Sequence, residues 1–60
     1  MTLEGVEKMI ENARFKWAIN NEFVMDCKRN NNPDGFLYTV AKMKYSRIIK
    51  RLEQAKQNLL

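Results

Sequence analysis

Apolar side chains recur through the first half of the chain at alternating steps of three and four. Leu3, Val6, Ile10, Ala13 and Trp17 are followed by the polar Asn20, then by Val24 and Cys27. Such spacing keeps one face of an α-helix apolar for more than three heptads. The second half repeats the rule with Tyr38, Ala41, Tyr45, Ile48, Leu52, Ala55 and Leu59. Leu37, Val40 and Ile49 widen that stripe, as helices of a bundle require. Between the halves stands Asn30-Asn31-Asn32-Pro33-Asp34-Gly35. Asparagine tolerates left-handed backbone angles and caps helix ends, and Pro33 cannot continue a helix. The pattern predicts an all-α chain and a single domain over 1–60. That domain is an antiparallel two-helix hairpin with helices over about 3–29 and 36–59 and a turn at 30–35.

The ends agree with this reading. Thr2 is placed to cap the first helix, Glu4 and Glu7 put negative charge in its opening turns, and Lys28 and Arg29 put positive charge at its carbonyl end. Asn32 can cap the second helix with Pro33 in its first position. A type I turn over Asn32-Pro33-Asp34-Gly35, with the helix starting at Phe36, is the other possibility. One signal competes. Phe23-Val24-Met25 and Phe36-Leu37-Tyr38-Thr39-Val40 have strand propensity, and a Pro-Asp-Gly turn between them resembles a β-hairpin. A helix–β-hairpin–helix chain is therefore the alternative, disfavoured because both heptad phases run through the candidate strands unbroken.

A second stripe on the first helix changes the picture. Phe15, Ile19 and Phe23 follow at i, i+4 and i+8, roughly opposite Trp17 and Val24. One partner helix cannot cover both sides. Composition sharpens the point. A chain of 60 residues, 45% of them hydrophobic, buries only ~60% of its unfolded surface. Small scaffolds of this kind need a disulfide, a metal or oligomerisation. The single Cys27 rules out an internal disulfide, and without histidine a structural zinc site lacks ligands. Self-association remains, most simply as a dimer forming a four-helix bundle. Asn20 is then either a register device on the seam or a mark of local wetting. Trp17 and Cys27 are read as core.

The net charge of +4 is unevenly placed. Residues 1–33 balance Lys8, Arg14, Lys16, Lys28 and Arg29 against Glu4, Glu7, Glu11, Glu22 and Asp26. The surplus belongs to the second helix, where Lys44, Arg47, Lys50 and Arg51 cluster away from the seam. These four residues fit an anionic partner, either nucleic-acid phosphates or an acidic protein surface, or else a solvated basic face.

Catalysis is not expected. There is no histidine, the carboxylates are scattered, and neither a glycine-rich phosphate loop nor a paired cysteine spacing is present. No cofactor is expected either. With no long apolar run and no export signal, the expected location is cytoplasmic and no membrane contact is foreseen. The function expected from these features is a small non-catalytic protein-interaction module, an adaptor or inhibitor of a larger cytoplasmic protein, with phage or mobile-element origin as a conjecture. Its contacts would be Phe15, Ile19 and Phe23, assisted by Lys44, Arg47, Lys50 and Arg51. The alternative is a dimeric nucleic-acid-binding regulator using the same basic residues.

Overall fold

A computed structural model describes all 60 residues; two helices, α1 (Leu3–Arg29) and α2 (Gly35–Leu59), pack side by side in a rod of 45 × 14 × 12 Å. No strand forms, so the helix–β-hairpin–helix alternative is set aside. The strand-prone segments join the helices because their apolar positions continue the heptad phase on either side of them.

The ends of α1 close as the sequence dictates. Thr2 is extended, and its Oγ1 accepts a hydrogen bond from the Gly5 amide at 3.0 Å. At the other end Asn31 takes a left-handed conformation with φ 54°. The Asn32 amide then donates to the Cys27 carbonyl at 2.8 Å, and the Asn31 amide to that of Lys28 at 3.4 Å. This pair of bonds is a Schellman closure, with asparagine where glycine is more usual.

The turn follows the second of the two possibilities. The Gly35 amide reaches the Asn32 carbonyl at 3.3 Å, while Asn32 Oδ1 accepts from the Asp34 amide at 2.9 Å. Asn32 is thus spent within the turn and does not cap α2. The cap position falls to Asp34, which makes no side-chain capping bond, and the helix opens at Gly35, one residue before the expected Phe36. Gly35 lies against α1: a Cβ there would stand 3.1 Å from Cys27 Cβ.

From that close approach the helices run antiparallel. Lys42 Nζ meets Asn21 Oδ1 at 3.1 Å, Arg14 pairs with Glu53 at 2.8 Å, and Glu7 pairs with Lys56 at 3.6 Å. Five residues are buried, Val6, Ile10, Ala13, Val24 and Cys27, and all belong to α1. They are five of the eight seam positions expected there. Trp17 is half-buried, with Lys42 Nζ 5.4 Å from its ring centroid. Asn20 does not reach across to α2; its Nδ2 donates to the Lys16 carbonyl at 2.8 Å, one turn back on its own helix.

No residue of α2 is buried. Tyr38, Tyr45, Ile48 and Leu52 are half-buried, and so are Lys42, Ser46 and Lys56. Ala41 and Ala55 of the expected seam are half-buried too, so six of its seven positions lie along the contact, shared with polar residues. The stripe is turned part-way toward one side. Ile49 does widen the seam as expected. Leu37 and Val40 do not: they turn outward and are exposed, Leu37 at 64%. Leu59 is exposed as well.

Candidate interaction surfaces

The rotation of α2 gives the rod two unlike sides. On one, Met9, Ala13, Tyr45, Ile48 and Leu52 line a shallow groove between the helices, with Asn12 and Lys16 at its rim. The side continues toward the turn. Phe23 lies seven residues from Lys16 and Tyr38 seven from Tyr45, two helical turns in each case, so both keep the same heading. Their rings stack with centroids 4.9 Å apart and planes 27° apart. Lys16 is the one charged residue lining this groove. The opposite side is polar, lined by Glu7, Glu11, Arg14, Lys50, Glu53 and Lys56.

The three apolar residues expected on the outer face of α1 do not form one patch. Phe23 has turned onto the groove side, where Tyr38 covers one face of its ring. Phe15 stands on the far side of α1, 65% exposed, and Ile19 lies between the two at the edge of exposure. Successive steps of four residues advance the heading by ~40° each, so the stripe winds around the helix instead of running along it.

Lys44, Arg47, Lys50 and Arg51 are all exposed. None joins an ion pair: the four pairs in the chain are Glu4–Lys8, Arg14–Glu53, Asp26–Arg29 and Glu7–Lys56. Lys44 Nζ lies 6.0 Å from the ring centroid of its neighbour Tyr45. Lys50 stands at the edge of the expected grouping, where it also borders the polar groove. The sole carboxylate of α2, Glu53, is held by Arg14, so the outer face of this helix carries uncompensated positive charge.

One surface was missed in the sequence. Phe36, Leu37, Val40 and Met43 are all exposed on the outward side of α2, beside the basic residues. A signal was available. Phe36, Val40, Met43, Arg47 and Lys50 step by four, three, four and three, which is a second heptad stripe on the same helix. On spacing alone Val40 fits either stripe, which masks the second one in the sequence. No group of three or more carboxylates and thiols comes together, and no helix is long and apolar enough to cross a membrane. No protein-family model, characterised protein or solved structure matches the chain.

Proposed function

We propose that this chain is a small non-catalytic interaction module that pairs with a second copy through its groove side, completes a four-helix bundle, and serves as an adaptor or inhibitor of a larger protein. The observation that supports pairing is that α2 contains no buried residue while its apolar stripe, Tyr38, Tyr45, Ile48 and Leu52, lies half-open along the groove. A hairpin with this little enclosed core is marginal by itself. A second copy laid on that side meets apolar side chains with Lys16 and Lys44 flanking Tyr45, whereas the opposite side would set ion-paired residues against one another. The rod presents about 45 × 14 Å to a neighbour, roughly 600 Å² in projection. With the relief of its side chains, that approaches the ~800 Å² per partner of a standard interface.

Light scattering tests the pairing. The expected mass at micromolar concentration is twice the 7.2 kDa of the chain, and Ile48→Glu should halve it. A stably folded single copy in the unsubstituted protein removes the proposal. A nucleic-acid regulator is the second reading, favoured by the exposed cations Lys44, Arg47, Lys50 and Arg51, none of them ion-paired. It predicts binding to duplex DNA or structured RNA that weakens steeply with salt and is lost in Lys44→Glu with Arg47→Glu. Undetectable binding at low salt eliminates it.

A further inference from the structure

The outward face of α2 is divided along its length. Phe36, Leu37, Val40 and Met43 occupy the half next to the turn, and Lys44, Arg47, Lys50 and Arg51 the half beyond it. We propose that this face docks a helical segment of a partner protein that is apolar at one end and acidic at the other. The inference rests on the interaction-module reading and names the chemistry of the partner.

Three observations select that occupant. First, Phe36, Val40, Met43, Arg47 and Lys50 keep the alternating step of a coiled-coil seam, with Leu37, Lys44 and Arg51 beside them. A straight stripe of this kind fits another helix along ~24 Å, the length of 16 residues at 1.5 Å each. Second, the cations have no ion-pair partner in the chain, and α2 offers no free carboxylate to compensate them. Acidic side chains across the interface would supply steering and register. Third, the apolar half is too exposed for ordinary surface, with Phe36 at 72% and Leu37 at 64%, and these side chains supply the buried anchors that carry binding energy.

The lengthwise division also disfavours the other macromolecules. A nucleic acid would satisfy Lys44 to Arg51 but leave four apolar side chains in water. A lipid surface would take the apolar four, yet seating the whole face would draw Arg47 and Arg51, which lie on the same outward side, toward the acyl region. The groove side, proposed for the second copy, is lined by other residues, although Lys44 borders it beside Tyr45.

The test uses the full chain and two synthetic helical peptides of identical composition. One carries its leucines and glutamates in separate halves of one face, and the other interleaves them. Fluorescence anisotropy should show the segregated peptide binding about tenfold tighter. Lys44→Glu with Arg47→Glu should abolish most of that preference and its salt dependence. Leu37→Ser with Val40→Ser should weaken binding by a similar factor, while light scattering still returns the mass of the unsubstituted protein. Equal affinity for the two peptides, or binding of neither, overturns the proposal. So does a preference for duplex RNA or phosphatidylserine vesicles that is lost in the same variants, which would assign the face to those chemistries. A fall in mass for Leu37→Ser with Val40→Ser overturns it too, by making this face the self-interface. A dimer that ignores both peptides sinks this inference and leaves the pairing intact, whereas a single copy that selects the segregated peptide does the reverse.

Discussion

Replacing Ile48 by alanine distinguishes a hairpin that stands alone from one that is half of a bundle. The substitution removes three carbons, which at ~0.8 kcal/mol per buried methylene is about 2.4 kcal/mol for a fully buried side chain. In a single copy Ile48 is mostly covered by α1 and opens only in part to the groove, so about 1.5–2.2 kcal/mol of that is at stake. In a bundle the second copy covers it, and the loss rises to the ~2–5 kcal/mol of a core isoleucine once the cavity is included. Val6→Ala is the internal standard. Val6 is 0% exposed within one copy, so its cost of about 1.6 kcal/mol plus cavity is the same in either state. Urea unfolding followed by circular dichroism, at two chain concentrations a hundredfold apart, reads both quantities. A dimer should gain about 2.7 kcal/mol of apparent stability across that range. The expected result is a concentration-dependent midpoint and a larger loss at Ile48 than at Val6. A midpoint indifferent to concentration, with Ile48→Ala costing no more than Val6→Ala, refutes the reasoning behind the bundle.

Three further outcomes follow from the ends and edges of the helices. Asn31→Val should lose ~1–2 kcal/mol because a branched residue at φ 54° is strained, and Asn31→Gly should gain a few tenths or more; both are read as shifts in melting temperature. Gly35→Val should lose ~1–3 kcal/mol in urea unfolding, since its Cβ would crowd Cys27 Cβ at 3.1 Å where the Schellman closure holds the chain. Arg14→Ala should change stability by under ~1 kcal/mol, despite the 2.8 Å contact with Glu53, because both side chains are about half exposed or more. A loss above ~2 kcal/mol there would show the pair to be buried by a neighbour.

The sequence by itself determined the helices, both ends of α1 and the reversal, while the cap of α2 was left between two readings. Those features are local: alternating steps of three and four, a threonine at one cap and an asparagine able to sit left-handed, and a proline that no helix continues through. The eight-position seam of α1 was legible for the same reason, and five of its members are the buried core. Tertiary structure alone decided the rotation of α2. A broad apolar stripe allows a helix to turn by tens of degrees and still place apolar atoms against its neighbour, and the choice was made by contacts between distant residues. Gly35 seated on Cys27, Lys42 reaching Asn21 and Trp17, and Glu53 and Lys56 pairing with Arg14 and Glu7 are the contacts made at that heading. That heading turned Leu37 and Val40 outward, joined Phe23 to Tyr38, opened the groove and set an apolar patch beside the basic residues. None of these pairings has a local signature, because each joins residues on different helices, and a helical period specifies which residues share a face but not where that face points.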